Sequence, residues 1–490
     1  MAKIAVSLIV DEVDFYVQNL FTRFPFQYGI AGLTAMPHLF LRVRMRVERR
    51  PIEGVCGEHL PPKWFTKNPD TSFEEDLPDL LRVVTHAADL AKAIGNGRFF
   101  FELWQELYQQ QAEWAEQEGL APLLANLGVS MVERALIDGV CRLLQKPFHQ
   151  VLLDDQLGID LGLIHEELSG MPIADVVKEE PLQEVMARHT VGLGDTLRVG
   201  DLSNEQQIQD GLPISLDQCI EAYGLRYFKI KLRGDLEHDR ARLLSLTALF
   251  QEMLGDDYQF TIDGNENFKS VAQFIEHWDA YHEDDTLRAL MGHLLFVEQP
   301  LHRDVALAED IKQGLSGWVN RPPMIIDESD ATLESLPCAL ELGYNGTSFK
   351  SCKGIVKGLA NAALLVKQKE AFPEQEWILS GEDLCTVGPL QLLQDLCLMA
   401  SLGVTHVERN GHHYVKGLSA FPEIMQGQIQ AAHTDLYEWR SEGYTSLRLR
   451  GGKLSTVSVS AQHFGVGPAL SMDQFTPLND WKVTSILPND

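Results

Sequence analysis

The segment YFKIKLRGD, residues 227–235, contains two lysines whose side chains share one face if the segment is a strand. The opposite face is apolar and carries Phe228, Ile230 and Leu232. A solvent-exposed pair is the ordinary interpretation of Lys229 and Lys231. If the strand is buried on both faces, however, each unpaired ammonium would be costly or would lose its proton. The lysines would then need anionic partners elsewhere in the chain.

Three later apolar segments each end in an acid, which supplies such partners. The segments FTIDGNEN, LLFVEQP and MIIDESD place Asp263, Glu298 and Asp327 directly before turn residues, and GTSFKSCKG places Lys350 similarly. A single acid at a strand end is more often a helix N-cap. Five charged residues in phase on five successive strands favour a site, and three carboxylates with water suit octahedral Mg²⁺.

These residues lie on regularly spaced elements. From Lys231, successive motif residues follow at 263, 298, 327 and 350, in steps of 32, 35, 29 and 23 residues, each sufficient for one strand and one helix. Eight strands are predicted: RHTVGL, YFKIKL, YQFTIDG, LLFVEQP, PMIIDES, GTSFKS, EWILSGE and VTHVERN. This alternation predicts a (β/α)8 barrel, in which chemistry occurs where strands end. An open doubly wound sheet is the alternative, but no GxGxxG follows a strand.

The first part of the chain has a different pattern. Apolar and basic residues alternate from Leu39 in HLFLRVRMRVE, a Pro-rich loop GEHLPPKWFTKNPD follows, and helical periodicity runs from residue 73 to about 144. This order predicts an α+β first domain. The acidic stretch 154–184 is interpreted as an insertion or linker. The predicted domains are an α+β domain with an insertion at 1–186, a barrel at 187–420 and a C-terminal segment at 421–490.

Composition narrows the class of protein. The 490 residues carry a formal net charge of -29, which argues against nucleic acid or an anionic membrane as a partner. The seven cysteines are scattered without CxxC spacing, so buried thiols in a reducing compartment are expected. The start, MAKIAVSLIVDEVDF, is predicted to be a strand and not a signal peptide. A cytoplasmic protein that forms a homo-oligomer is expected.

The motifs KIK, DGN, VEQP and DES, followed by a lysine, resemble the barrel motifs of the enolase superfamily. The similarity covers about residues 101–408 by strand order. It is greatest to the muconate lactonizing enzyme type, which has one lysine on the second strand and another on the sixth. This type is part of the mandelate racemase/muconate lactonizing enzyme-like proteins. The mandelate racemase variant uses a histidine on the seventh strand, and EWILSGEDLCTVG has none.

The resemblance implies roles for the charged residues. Mg²⁺ would be held by Asp263, Glu298 and Asp327. Lys231 and Lys350 would be the paired acid/base catalysts, with Lys229 close to the substrate carboxylate. One departure concerns KSCKGI, which has a single glycine after its lysines, so that Lys353 rivals Lys350. Strand alternation favours Lys350, and Lys353 is expected to lie beyond the strand end in solvent.

The resemblance also implies that the first domain is a capping domain, which the C-terminal segment completes. Substrate contacts are expected from this cap and from the last two barrel strands. The cap loops FPFQYGIAGLT and CGEHLPPKWFTK offer Tyr28 and Trp64, whose alternative role is packing. Candidates on the seventh and eighth strands are Glu382, Asp383 and His412, the last with a loop role as its alternative.

The predicted reaction is Mg²⁺-dependent removal of the α-proton of a small carboxylic acid through an enediolate. A lysine beside a divalent cation and a second lysine is expected to have a lowered pKa and to act as a base. Two lysines on opposite faces predict racemisation or epimerisation. A β-leaving group would instead give a lyase, either a dehydratase or a cycloisomerase. Two rival hypotheses are a noncatalytic metal-binding scaffold and a Schiff-base aldolase, which needs only one inward lysine.

Overall fold

The computed structural model describes residues 5–28, 30–94, 96–203 and 207–486. Its N-terminal part is an antiparallel sheet whose central pairings are β1 with β2 and β2 with β3. The strands are β1 (Ser7–Tyr28), β2 (Ala31–Val47), β3 (Arg50–His59) and β4 (Asn96–Phe99). The alternation seen in β2 separates its faces: Leu41 and Val43 are buried, while Arg44 and Arg46 pair with acids of β1.

Helices pack against this sheet and complete the cap. They are α1 (Pro62–Phe65), α2 (Phe73–Ile94), α3 (Phe100–Gln117), α4 (Pro122–Leu144) and α5 (Phe148–Leu153). Every residue of α4 from Leu123 to Cys141 is buried, because this helix lies against β3 on one side and contacts the barrel through Ser130 and Glu133. The predicted loop GEHLPPKWFTKNPD is partly regular, since it contains the end of β3 and all of α1.

The second part is a closed barrel of eight parallel strands, as predicted. The strands are β5 (Glu184–Val191), β6 (Tyr227–Lys231), β7 (Gln259–Asp263), β8 (Leu294–Glu298), β9 (Met324–Ile326), β10 (Gly346–Phe349), β11 (Ile378–Gly381) and β12 (His406–Arg409). Each pairs with the next, and β12 pairs with β5, Val407 opposite Ala187, which closes the ring. All eight predicted strands are therefore present.

Helices connect the strands around the outside of the barrel. They are α6 (Leu216–Tyr223), α7 (Leu236–Leu254), α8 (Val271–Glu283), α9 (Asp285–Met291), α10 (Asp310–Ser316), α11 (Ser335–Leu342), α12 (Ile355–Ala371), α13 (Gln391–Leu402) and α14 (Gly411–Tyr414). The apolar side chains between helices and strands form a core that continues into the cap. No helix in the described ranges has the length and apolar character needed to cross a membrane.

The C-terminal part contacts both the barrel and the cap. It contains α15 (Glu423–Ala432), β13 (Tyr437–Trp439), β14 (Thr445–Leu447), β15 (Lys453–Ser455), α16 (Val457–Ala461) and β16 (Thr476–Pro477). Strand β15 pairs with β5 of the barrel, and β16 pairs with β1 of the cap. The stretch 154–184 before the barrel is a packed connection in which Leu161, Leu168 and Ile173 are buried. The domain boundaries stay a prediction.

Candidate active site

The ends of the barrel strands bring the predicted charged residues to one rim. Lys231 lies opposite Asp263 in the sheet register, and Asp263 lies opposite Glu298. The rim faces the cap across a cleft of about 640 Å³. Lys229, Lys231, Asp263, Asp327 and Lys350 line this cleft, while Glu298 is fully buried at its base. The structure thus brings together the three predicted metal ligands, the two predicted acid/base lysines and Lys229.

Lys229 lies at the centre of a group of carboxylates. Its Nζ is 2.7 Å from Glu298 Oε2 and 2.7 Å from Glu382 Oε2. The same ammonium is 3.1 Å from Asp263 and 3.0 Å from Glu408. Burial alone would lower the pKa of Lys229, but the four carboxylates raise this pKa well above its usual value. Lys229 therefore stays charged and balances negative charge at the floor of the cleft, so its anionic partners are the four carboxylates.

The three predicted metal ligands differ in charge. Burial would raise the pKa of Asp263, but Lys229 and Lys231 lower this pKa to about 2. Burial is likewise opposed at Asp327, where Lys350 and Lys353 hold the pKa well below its ordinary value. The pKa of Glu298, in contrast, is raised well above its ordinary value by burial and by the neighbouring carboxylate of Glu382. Asp263 and Asp327 are therefore ionised, whereas the Glu298 carboxylate between them has too little positive charge around it to stabilise its ionised form.

The surroundings of Glu298 indicate a cation site at the rim. Neither of its carboxylate oxygens accepts a well-oriented hydrogen bond from any described residue, although the side chain is fully buried. The Lys229 ammonium approaches Oε2, but it is shared with three further carboxylates. A buried carboxylate in this state is costly unless more positive charge is near. Three carboxylates on adjacent strands offer the hard oxygen ligands that Mg²⁺ prefers. The residues present fit such an ion, which Asp263, Glu298 and Asp327 would hold.

The two predicted acid/base lysines lie on either side of this group. Lys231 Nζ donates to Asp263 Oδ2 at 2.7 Å and to Asn265 Oδ1 at 3.2 Å. Lys350 Nζ donates to Asp327 and lies 3.8 Å from Glu298 Oε1. Burial would lower the pKa of Lys350, but the Asp327 and Glu298 carboxylates raise it. The lowering expected from the sequence requires a cation among these carboxylates and stays a prediction.

Lys353 is not in solvent, contrary to the sequence expectation. Its side chain is 3% exposed, and its Nζ donates to Asp327 O at 2.6 Å and to Ser348 Oγ at 2.8 Å. The ammonium also lies 2.9 Å from Asp327 Oδ1. A short 3-10 helix at Ser351–Lys353 turns the chain back after the strand, so the side chain reaches under the rim. Lys353 does not line the cleft, and Lys350 does.

Trp64 of the cap closes the cleft over one lysine. Its ring lies 4.8 Å from Lys350 Nζ, an arrangement in which the ring face stabilises the ammonium. Arg303 holds helix α1 against the barrel, because it donates to the carbonyl oxygens of Trp64 and Phe65 at 2.9 and 2.8 Å. Arg303 also forms a two-pronged ion pair with Glu266.

Several lining residues were missed by the sequence analysis. They are Lys67, Glu266, Arg303 and Glu328. A signal existed for two of them, since Glu266 lies three residues after Asp263 and Glu328 directly follows Asp327. Burial raises the pKa of Glu328 to about 7, with Asp327 adding to the effect. Lys67 and Arg303 carry no motif, and only the fold brings them to the cleft.

The remaining candidates occupy different places. Asp383 lines the cleft, where burial raises its pKa to about 6. Glu382 lies deeper, bonded to Lys229 and to Arg188 of β5. His412 lies outside the cleft, against His189. Tyr28 ends β1, and its side chain lies outside the described part of the structure.

Comparison with known proteins connects this arrangement to a fold family. The chain matches the structure of 2-chloromuconate cycloisomerase from Rhodococcus opacus 1CP with a TM-score of 0.60 at 14% identity, covering 95% of this chain and 98% of that one. It matches dipeptide epimerase from Enterococcus faecalis V583, complexed with Mg and L-Leu-L-Tyr, with a TM-score of 0.57 at 14% identity, covering 93% and 99%. It matches muconate lactonizing enzyme from Pseudomonas fluorescens, complexed with muconolactone, with a TM-score of 0.56 at 14% identity, covering 96% and 98%.

The matched structures share the capped (β/α)8 barrel, so the fold implied by the motif resemblance is confirmed. No protein-family model matches the sequence, and no curated protein matches it. At such low identity the likeness defines the capped (β/α)8 barrel and not the reaction. The side chains at the rim, and not the fold, determine which reaction is possible.

Proposed function

We propose that this chain is an enolase-superfamily enzyme that removes and returns the α-proton of a small carboxylic acid, as a racemase or epimerase. The observation that carries the proposal is the placement of Lys231 and Lys350. Both line the cleft, and their strands, β6 and β10, are four apart in the ring of eight. Side chains from strands four apart reach the centre from opposite sides, as proton exchange on both faces of one carbon requires.

The acids and Lys229 prepare the cleft for an anionic substrate. Mg²⁺, held by Asp263, Glu298 and Asp327, would stabilise the negative charge that develops on the substrate carboxylate when the α-proton leaves. Lys229 supplies a fixed positive charge at the base of the cleft. Lys231 or Lys350 accepts the proton on one face of the enediolate, and the other lysine donates one to the opposite face.

The cap supplies the substrate's surroundings. Trp64 and Phe26 offer apolar surface, while Lys67 and Asp383 place one charge of each sign on the lining. This mixture suits an acid that carries an apolar part together with a polar or charged group. Elimination and cycloisomerisation use the same first step, so the fate of the intermediate depends on whether the substrate has a β-leaving group.

The proposal is tested by deuterium exchange. The purified chain is incubated in D2O and Mg²⁺ with sets of carboxylic acids, including hydroxy acids, amino-acid derivatives and dipeptides, and α-deuteration is followed by mass spectrometry. We expect exchange in one chemical class, loss of exchange with EDTA and recovery with Mg²⁺. Full exchange in the metal-free protein would overturn the metal assignment. Borohydride trapping of a lysine adduct with a carbonyl substrate would favour the aldolase alternative.

A further inference from the structure

A second cluster of ligand-type side chains lies on the outer side of the barrel wall. His189 of β5, Cys219 of α6 and His413 of α14 are all buried. Among the described residues they form a set of three whose ligand atoms all lie within 4.8 Å of one another. We call these three residues the seam cluster, because they lie where the first barrel strand meets the last. The reaction proposed above uses none of them.

One distance within the seam cluster matches that expected in a zinc centre. Cys219 Sγ lies 3.5 Å from His413 Nδ1. Zinc bonds of about 2.3 Å to sulfur and about 2.05 Å to nitrogen, at a tetrahedral angle, would separate the two ligand atoms by about 3.6 Å. A thiol and two imidazoles are also the ligand types that zinc selects over the hard cation Mg²⁺. Three protein ligands would leave the fourth position for water.

The surroundings keep the ligands in a form that can bind an ion. Burial lowers the pKa of His189 to about 3 and that of His413 well below its usual value, so both imidazoles are neutral, the form that ligates a metal. Burial raises the pKa of the Cys219 thiol, an effect that a bound cation reverses. The carboxylate of Asp195, which acts on the Cys219 thiol, would balance the remaining positive charge, whereas Arg23 is already paired with Asp210 at 2.6 Å.

His412 completes the arrangement as an outer partner. Its Nε2 lies 3.0 Å from His189 Nδ1, which leaves the other nitrogen of His189 for an ion. Ligating histidines usually hold their second ring nitrogen in such a hydrogen bond, which fixes the ring orientation. His412 Nδ1, although buried, has no hydrogen-bond partner in the described part of the chain. A cavity lined by His412, Tyr223 and Tyr437 adjoins this outer partner.

We propose that His189, Cys219 and His413 form a second metal site, specific for zinc or a similar borderline divalent ion, that ties the first barrel strand to the helix after the last strand. The peptide oxygen of His413 accepts from Arg23 of the cap hairpin at 2.6 Å, and Phe24 packs against the His413 ring at 4.8 Å. An ion at the seam would therefore also fix the surface on which the cap rests.

Cobalt binding tests the proposal on the complete wild-type chain. The protein is stripped with a chelator, saturated with Mg²⁺ to occupy the barrel rim, and titrated with Co²⁺. We expect a thiolate-to-cobalt charge-transfer absorption at one ion per chain, displaced by Zn²⁺, and a higher Tm with Zn²⁺ than without it. If no thiolate absorption develops, the proposal is overturned, and the three side chains are a packed Cys–His hydrogen bond and nothing more.

Two variants and a control locate the site. Cys219→Ala and His413→Gln should each weaken zinc binding by at least about 100-fold, more than the loss usual for outer partners. Cys141→Ala alters an equally buried thiol on α4 and should leave zinc binding unchanged. Unchanged zinc affinity in a folded Cys219→Ala or His413→Gln variant would overturn the assignment. If both variants fail to fold, the wild-type absorption still decides.

Discussion

The barrel rim and the seam cluster are both buried, but they differ in charge. Lys229, Asp263 and Asp327 of the rim are ionised, whereas the imidazoles of the seam cluster are neutral. At the rim, Lys229 contacts four carboxylates, and Lys231 and Lys350 are each paired with an aspartate. In the seam cluster, His189 and His413 are neutral because burial lowers their pKa values. Strand β5 separates the two environments: Arg188 points to Glu382 inside the barrel, and its neighbour His189 points to α6 and α14.

The difference shows how one barrel wall supports two kinds of chemistry. Paired charges on the inner side keep Lys229, Asp263 and Asp327 ionised, which suits a hard cation and an anionic substrate. On the outer side no described carboxylate forms an ion pair with His189 or His413, so burial makes these imidazoles neutral. A similar neutral pair, His38 and His59, lies in the cap with ring centroids 4.4 Å apart. The comparison can be tested on either side.

The largest expected effect is on proton transfer at the rim. Lys350→Ala and Lys231→Ala should each lower racemisation by about 10²–10⁴-fold, the usual contribution of an acid/base group. Each variant should still exchange the α-proton of one enantiomer with solvent deuterium, and the two should prefer opposite enantiomers. Lys350→Ala should retain Mg²⁺ binding, because Lys353 still neutralises Asp327. Exchange is measured separately for each pure enantiomer by NMR in D2O.

The exposed Lys312 provides the matched control, since Lys312→Ala removes a lysine of the same barrel far from the rim motifs. Comparable exchange of both enantiomers in either single variant would contradict the two-lysine assignment. If both variants still turn over a substrate that loses a β-group, the reaction is an elimination.

Lys353 should matter for stability more than for chemistry. Its ammonium is buried beneath the rim and donates to Asp327 O and Ser348 Oγ. Lys353→Met leaves those oxygens and part of the Asp327 charge uncompensated, which we expect to lower the free energy of unfolding by about 3–5 kcal/mol. Urea unfolding measures the loss, with Lys312→Met as the control. A change below about 1 kcal/mol would show that Lys350 alone balances Asp327.

Much of the barrel could be predicted from the sequence, because the relevant signals are local. Asp263, Glu298 and Asp327 each end an apolar strand, and parallel strands in a barrel all end at one rim. Alternation along YFKIK also predicted that Lys229 and Lys231 share a face, and both line the cleft. These inferences needed only strand periodicity and the order of elements.

The remainder depends on contacts between distant parts of the chain. Glu408 and Glu382 meet Lys229 across the barrel, 179 and 153 residues away in sequence. The burial of Lys353 depends on a tight turn after β10 that its sequence did not reveal. The seam cluster escaped notice because one strand and two helices each supply a single ligand, without the short spacing by which metal motifs are recognised.

A conservative change at the rim separates the two proposed metal sites. Glu298→Gln is nearly isosteric and removes one ligand charge from a fully buried position. We expect Mg²⁺ affinity to fall at least about 10–100-fold, the loss typical of residues that merely support a ligand. Zinc binding at the seam cluster should stay the same, because none of its three ligands is changed. Calorimetry with each ion measures both affinities, and unchanged Mg²⁺ affinity would remove Glu298 from the site.

The smallest effect concerns the neutral pair in the cap and appears as a pH dependence of stability. Burial lowers the pKa of His59 to about 4, and burial, His59 and Arg134 lower that of His38 well below 6.5. The unfolded chain takes up protons near the ordinary histidine pKa of about 6.5, whereas the folded chain does not. Burying the neutral histidines therefore costs no stability above that pH, and the free energy of unfolding decreases as the pH falls towards 4.

Within that window each such histidine should lower the free energy of unfolding by up to about 1.4 kcal/mol per pH unit. Urea unfolding at pH 7.5, 6 and 5 should show a steeper loss of stability for the wild type than for His59→Gln, which cannot take up this proton. His238→Gln, at an exposed position, should follow the wild-type curve. Parallel curves for wild type and His59→Gln would mean that His59 is already protonated in the folded cap, and that buried neutrality is confined to the barrel.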